Sequence, residues 1–128
     1  MIVLDASFLI AFLDSHDAHH HLADEILATV LDEPLGANSL TMAEVLVGPI
    51  RGGKAEAARR ALDDLDIQEL SFPPDTAVKL AHVRASTGLK MPDCCVLLAA
   101  EESQADIASF DDALAYAARQ RNFVVHSR

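Results

Sequence analysis

Cysteine is scarce in this sequence, and long hydrophobic runs are missing. The two cysteines, Cys94 and Cys95, are adjacent, and neighbouring cysteines bridge poorly. Because 51% of the 128 residues are hydrophobic, the chain can bury a core without disulfides. This cysteine usage predicts a reducing, cytoplasmic compartment. The apolar N-terminus lacks a basic start and contains Asp5, and the apolar run 94–100 is too short to cross a bilayer, so we expect neither a targeting segment nor a membrane span.

Basic residues are also few. Ten Lys and Arg residues stand against 20 Asp and Glu residues, which gives a formal net charge of -10. Nucleic-acid-binding proteins are usually basic, so this charge taken alone argues against RNA as a partner. The objection weakens if metal ions occupy some of the acids, since each divalent ion cancels two charges. An acidic surface also favours a basic protein partner.

Repeats, low-complexity segments and long linkers are absent, so we expect residues 1–128 to form a single domain. Short apolar segments alternate with amphipathic ones, which predicts an α/β three-layer sandwich with a mainly parallel central sheet flanked by helices. In such sheets ligands bind at the carboxyl ends of the strands. We predict strands at 1–4, 35–37, 67–70, 106–108 and 122–125, and helices at 7–13, 19–31, 39–47, 55–65, 75–88, 92–102 and 113–119.

Two predictions concern details of these helices. Gly48 and Pro49 should end or bend the helix that begins after Asn38 or Ser39, because proline fits poorly inside a helix. In the helix that ends at Gly88, four apolar residues should face the core. These are Val78, Leu80, Ala81 and Val83.

Acidic residues follow two of the predicted strands. Asp5 ends the first strand, and Asp111 and Asp112 follow the strand at 106–108. A carboxylate at a strand end points into the crevice where α/β proteins bind ligands. The simpler alternative is that each acid only caps the helix that follows it. For the adjacent pair, one acid could cap the helix while the other faces the crevice.

Two further acids lie on apolar helices. The neighbours of Glu44 are apolar nearly all round the helix, which predicts that Glu44 is buried. A buried ionised carboxylate is costly unless it is paired or bound to metal; the alternatives are a basic partner or a helix edge that reaches water. Asp93 lies in the first turn of the helix that starts at Pro92, where the helix dipole alone could explain an acid.

Taken together, Asp5, Glu44, Asp93 and Asp111 suggest a cluster of carboxylates. Mg²⁺ and Mn²⁺ prefer such oxygen ligands. Bound ions of this kind activate water and stabilise displacement at phosphorus. A phosphatase of the haloacid dehalogenase type would need a second acid two residues after Asp5, where Ser7 stands instead, and the sequence has no P-loop and no Gly-rich dinucleotide motif.

Histidines and cysteines offer weaker candidates for a site. Four of the six histidines fall within 16–21, and His16 and His20 have an i, i+4 spacing that could bind a transition metal on a helix. A solvated helix start explains this cluster more simply. Cys94 and Cys95 lack the C-x-x-C spacing of a redox pair, so we interpret them as buried thiols of a core helix.

The order and spacing of these motifs resemble PIN-domain nucleases, and more narrowly the VapC-type toxins of type II toxin–antitoxin pairs. The resemblance covers essentially the whole chain. It rests on the segments Val3-Leu4-Asp5-Ala6-Ser7, Ser39-Leu40-Thr41-Met42-Ala43-Glu44-Val45, Met91-Pro92-Asp93-Cys94 and Ser109-Phe110-Asp111.

The resemblance implies a PIN-like sheet, Mg²⁺ or Mn²⁺ in an acidic pocket, and hydrolysis of RNA phosphodiesters. Asp5, Glu44 and Asp93 match the first three acids of the family. The fourth role falls on Asp111, with Asp112 as the alternative. Ser7 and Ser109 match hydroxyls that support the pocket. Basic residues at the rim are candidates for contacts with RNA, namely Arg51, Lys54, Arg84 and Lys90.

The resemblance also implies partners. Toxins of this type are typically homodimers, and a cognate VapB-like antitoxin covers the acidic pocket, often with a basic side chain. The acidic charge of this chain suits such a partner. The competing hypothesis is a catalytically silent PIN-like module that only binds a regulatory protein; retention of all four acids argues against it.

Overall fold

A computed structural model describes residues 1–127 and places a parallel five-stranded sheet at the centre of the molecule. The strand order is β3-β2-β1-β4-β5, and every neighbouring pair is parallel. The predicted sandwich is therefore confirmed, with a sheet that is wholly parallel. The strands are β1 (Ile2–Leu4), β2 (Leu35–Asn38), β3 (Gln68–Leu70), β4 (Asp106–Ala108) and β5 (Val125–His126).

Within residues 1–127, seven helices cover the two faces of this sheet. Alternation along β1 sends Ile2 and Leu4 into one apolar cluster and Val3 into the other. Helices α1 to α4 contribute to the first cluster, and α5 to α7 contribute to the second. The helices are α1 (Ala6–Leu13), α2 (His20–Thr29), α3 (Ser39–Arg51), α4 (Ala55–Asp64), α5 (Thr76–Thr87), α6 (Met91–Ser103) and α7 (Asp112–Gln120).

The order of the strands reverses at the middle of the sheet. From β1 the chain adds β2 and β3 on one side, and β4 then returns to pair with the other side of β1. A crevice forms where the connections leave two neighbouring strands in opposite directions. Here that crevice lies at the carboxyl ends of β1 and β4, directly before Asp5 and Ser109.

The structure corrects three predictions about the elements. Helix α3 continues through Pro49 to Arg51, because proline removes only one N–H and the Gly52 N–H still bonds to the Gly48 carbonyl at 3.0 Å. The last strand begins later than predicted, since the chain first turns through Asn122 at φ 67°. The third correction concerns α5.

Helix α5 buries a narrower stripe than its sequence predicts. Val83 is 4% exposed, whereas Val78 is 60% exposed and Ala81 also faces solvent. The helix packs mainly on α6, so only the side nearest α6 is covered. Across residues 1–127, every helix is too short or too polar to span a bilayer.

Candidate active site

Asp5 lies at the bottom of the crevice and is held by three donors. Its Oδ1 accepts hydrogen bonds from the Phe8 N–H at 2.9 Å and the Ser7 hydroxyl at 2.7 Å. Its Oδ2 accepts one from the Ser109 hydroxyl at 2.5 Å. Asp5 is 4% exposed. The bond from Phe8 makes Asp5 the N-cap of α1, so the capping interpretation holds, and the same carboxylate also faces Ser109, directly after β4.

Backbone amides fix the direction of both hydroxyls. The Phe110 N–H donates to Ser7 Oγ at 2.9 Å, and the Asp111 N–H donates to Ser109 Oγ at 3.0 Å. Each hydroxyl oxygen accepts a bond from an amide, so its own hydrogen is free to point at Asp5. The segment after β4 therefore positions the carboxylate after β1, which explains why these serines occur where they do.

Asp111 has two roles in the structure. Its Oδ1 accepts from the Leu114 N–H at 2.9 Å and caps α7. Its negative charge also raises the pKa of Asp5, although burial is the larger cause of that rise and the hydrogen bonds to Ser109, Phe8 and Ser7 oppose it. The neighbouring Asp112 lies exposed in the first turn of α7.

The charges of the three other acids all raise the pKa of Asp93. Its pKa is raised to about 6, first by burial, then by the charges of Asp111 and Asp5, and last by Glu44; Lys90 lowers it. Like charges must lie near one another to act in this way. Asp93 therefore lies within electrostatic reach of the three other acids, which are far apart from it in the sequence.

Glu44 corrects a prediction. It is exposed to solvent, although the apolar sequence of α3 predicted burial. Only Thr41 and Val45 of this helix are buried, while Leu40 and Val47 are 38% and 44% exposed. The helix-edge alternative was right for Glu44, and apolar residues around a helix did not mean that all its sides are packed.

The residues of the crevice fit a hard divalent cation by charge and ligand type. Oxygen donors are what Mg²⁺ and Mn²⁺ prefer, and within residues 1–127 no ion pair joins any of the four acids to a basic side chain. Over the same residues, no three His, Cys, Asp or Glu side chains are grouped to hold a metal together. Mg²⁺ commonly binds through one or two carboxylates and keeps several waters, so a three-ligand group is not required.

The four basic residues that are predicted to contact RNA occupy different environments. Lys90 lies close enough to Asp93 to lower its pKa, and Lys54 lines a groove that also contains Glu44. Arg51 is exposed in the last turn of α3. Arg84 donates to the Leu89 carbonyl at 2.7 Å, so its guanidinium braces the turn between α5 and α6.

The histidine cluster does not form the spaced pair that a helix would give. Helix α2 begins at His20, so His16 and His20 do not share it, and the ring of His20 contacts the Ala11 carbonyl at 2.7 Å. The solvated helix start is the better description. Cys94 and Cys95 are buried in α6, as predicted, and burial raises the pKa of both thiols.

Sequence reasoning missed an aromatic stack beside the crevice. The His19 ring lies parallel to Phe110 with centroids 4.5 Å apart, and Phe110 stacks on Phe8 at 5.3 Å. Phe110 lies between Ser109 and Asp111 in the sequence, and this position could have indicated an aromatic ring next to the acids. Its pairing with His19, 91 positions earlier in the chain, has no local signature.

The family model for the PIN domain matches residues 2–120. The chain therefore belongs to the PIN domain family, and the resemblance drawn from the acidic motifs is confirmed. A search of the curated proteins gave no match.

Several solved structures have the same fold as this chain. FitAcB from Neisseria gonorrhoeae has a TM-score of 0.75 at 19% identity, over 98% of this chain and 96% of that one. VapC20 of Mycobacterium tuberculosis, a sarcin-ricin loop cleaving toxin, has a TM-score of 0.73 at 16% identity, over 91% and 95%. VapBC2 from Rickettsia felis, bound to a promoter DNA fragment, has a TM-score of 0.70 at 16% identity, over 98% and 97%. At these identities the likeness establishes the shared fold.

Proposed function

We propose that this chain is a divalent-metal-dependent endoribonuclease and the toxin of a toxin–antitoxin pair. The observation that carries the proposal is the geometry at Asp5, whose buried carboxylate lies at the reversal of strand order and is held by Ser7, Ser109 and the Phe8 N–H. Burial, and then the charges of the other acids, raise the pKa of Asp93 to about 6, so a divalent ion would offset repulsion between like charges there. Membership of the PIN domain family supports the same reading.

Each residue of the crevice has a proposed part. Asp5, Asp93, Asp111 and Glu44 would bind Mg²⁺ or Mn²⁺ together, one or two of them directly and the others through the waters that such an ion keeps. The bound ion would supply positive charge to phosphate oxygens and an acidified water. Ser7 and Ser109 keep the Asp5 carboxylate in one orientation. Ligand-orienting hydrogen bonds of this kind are typically worth 10- to 100-fold in metal affinity or activity.

RNA would reach this acidic crevice with help from basic side chains. Lys90 is the best-supported of the four basic residues, because its charge lowers the pKa of Asp93 and it therefore lies near the crevice. Arg51, in the last turn of α3, and Lys54, directly before α4, follow. Arg84 is the weakest candidate, since one of its nitrogens bonds to the Leu89 carbonyl.

A basic antitoxin has a suitable place to bind. Helices α1, α3 and α4 enclose a groove of about 670 Å³ with apolar walls that include Ile10, Leu13 and Val45. Glu44 and Asp14 also line it. An apolar segment carrying a basic side chain would fill the groove and could pair with Glu44, which would place the antitoxin next to the acids. Toxins of the VapC type are typically homodimers, and we propose the same state here, to be checked by light scattering.

Metal-dependent thermal stability separates the enzyme from a silent interaction module. A ligand that binds only the folded state raises its stability with concentration, by about 2.7 kcal/mol at 100 times its Kd. Mg²⁺ or Mn²⁺ should therefore raise the Tm of the parent chain by several degrees. Asp5→Asn and Asp93→Asn should reduce that rise, while Glu25→Gln, an exposed acid on α2, should keep it. If metal leaves the parent Tm unmoved, the silent module becomes the better account.

A further inference from the structure

A second cavity opens beside the acids and shares no lining residue with the antitoxin groove. Its volume is about 340 Å³, and Ser109 and Asp111 form part of its wall. The remaining wall comes from the start of α2 and from α7. Anything bound here would therefore touch the same residues that position Asp5, and would lie next to a substrate phosphate in the crevice.

Three residues that line this cavity carry flat rings, namely His19, Phe110 and Tyr116. Phe110 stacks against both Phe8 and His19, so the ring that remains open to solvent in this stack is that of His19, whose side chain is 50% exposed. Tyr116 on α7 is 68% exposed, and it is the one tyrosine of a chain without tryptophan. Aromatic side chains that stand in solvent beside a crevice are the usual surfaces on which unpaired bases stack.

The charges of the cavity favour a neutral ring over a phosphate. Asp111 and Asp112 line it, and Arg119 is the basic residue in its wall. Successive turns of α7 carry Asp112, Tyr116 and Arg119, so these three residues share one face of the helix. The Arg119 guanidinium donates to the Ser127 hydroxyl at 2.9 Å, and both residues line the cavity. A base can stack here while the guanidinium offsets the acids nearby.

We propose that this cavity is a nucleobase subsite, in which His19, supported from behind by Phe110, receives one unpaired base together with Tyr116 and Arg119, next to the phosphate that the crevice cuts. The inference rests on the proposed nuclease function, and it deepens it. It makes the substrate single-stranded or looped RNA, because a base inside a helix cannot enter a cavity. It also makes α7 a determinant of where the RNA is cut.

The test uses nucleoside 5′-monophosphates, which the enzyme cannot cleave. Because the full chain has one tyrosine, its ring resonances in an NMR spectrum report on Tyr116 alone. Titration with AMP, GMP, CMP or UMP in Mg²⁺ should shift these resonances upfield through the ring current of a stacked base. Ribose 5-phosphate, which has no base, should leave them in place. His19→Ala should weaken the nucleotide response by about tenfold.

Cleavage kinetics provide the matched variants. Tyr116→Ala should lower kcat/KM on an oligoribonucleotide by about tenfold, and Tyr116→Phe should restore most of it because the stacking surface returns. Phe72→Ala removes a comparable exposed ring near the opposite edge of the sheet and should have no effect.

The two proposals can fail separately. If no nucleotide shifts the Tyr116 resonances, the subsite is overturned even when the parent cleaves RNA. If nucleotides do shift them and the parent never cleaves RNA, the subsite stands and the nuclease does not. If Tyr116→Ala changes only the oligomeric state or the capture of a basic partner protein, the cavity belongs to a protein interface and the subsite is wrong.

Discussion

The two acids that follow strands and the two acids on helices are held in different ways. Asp5 accepts hydrogen bonds from two serines and one amide, and Asp111 caps α7. Asp93 is partly buried and Glu44 is exposed, and neither carboxylate accepts a hydrogen bond from any group within residues 1–127. The strand-end acids are thus positioned by the fold, whereas the helix acids chiefly supply charge. This division predicts which changes damage geometry and which change only electrostatics.

Removing the charge of a strand-end acid should have the largest effect. Asp5→Asn should lower the rate of RNA cleavage by about a thousandfold, because charge stabilisation by a metal is worth several kcal/mol. The rate would be followed on a labelled oligoribonucleotide in Mn²⁺. Glu25→Gln is the control, an exposed acid outside the crevice. A loss of less than tenfold in Asp5→Asn would remove Asp5 from the site.

Removing the hydroxyl that positions Asp5 should have a smaller effect. Ser109→Ala deletes a 2.5 Å hydrogen bond to Asp5 and should lower kcat/KM by about 10- to 100-fold. The same kinetic assay applies, with the loss partly recovered at high metal concentration because ligand orientation limits metal affinity. Ser103→Ala, at the far end of α6, should be neutral. If both alanine variants behave alike, the positioning role of Ser109 is wrong.

Ionisation of Asp93 should make the free energy of unfolding depend on pH. Its folded pKa, about 6, lies above the ordinary 3.8, so the folded protein holds the proton between these values. Stability therefore falls as the pH rises through this window. Without metal, Asp93→Asn should be more stable than the parent at pH 8, by about 1 kcal/mol after allowing for solvent screening, or about 4 °C in Tm.

The advantage of Asp93→Asn should vanish near about pH 3, below the ordinary pKa of 3.8, where the parent carboxyl is protonated in both the folded and the unfolded state. Thermal melts at both pH values in EDTA would measure it. A variant that is less stable than the parent at pH 8 would show that Asp93 serves packing and does not bear a charge penalty.

Glu44→Gln should have the smallest effect on stability. The side chain is exposed, and exposed substitutions usually change the free energy of unfolding by less than about 0.5 kcal/mol. Its cleavage activity should nevertheless fall below that of the parent, because Glu44 contributes charge to the crevice. Melting and kinetics on the same preparation would separate the two effects. A large drop in Tm would mean that Glu44 supports the fold.

Local patterns were enough to predict most of the fold. Alternating strands and helices, glycine at the end of α5 and acids after β1 and β4 were all readable, because each depends on residues close in the sequence. The two wrong predictions of burial, at Glu44 and at Val78, share one cause. The exposure of Glu44 and of Val78 depends on which other helices cover α3 and α5, and a segment's own composition does not contain that information.

The crevice was predictable in its members and not in its contacts. Asp5 and Asp111 stood out as acids at strand ends, and the serines followed from the family resemblance. That Ser109 donates to Asp5, 104 residues away, depends on β4 returning to pair with β1. The stack of His19 on Phe110 arises in the same way, from the packing of α2 beside the loop after β4.

The most direct test of the central claim is cleavage of RNA by the purified chain. Total cellular RNA would be incubated with the protein in Mn²⁺ or Mg²⁺ and the new 5′ ends mapped, with EDTA and Asp93→Asn as controls. The account predicts discrete cuts that need both the metal and Asp93, at unpaired positions. A folded protein, free of any co-purified partner, that leaves the RNA intact in saturating metal would contradict it.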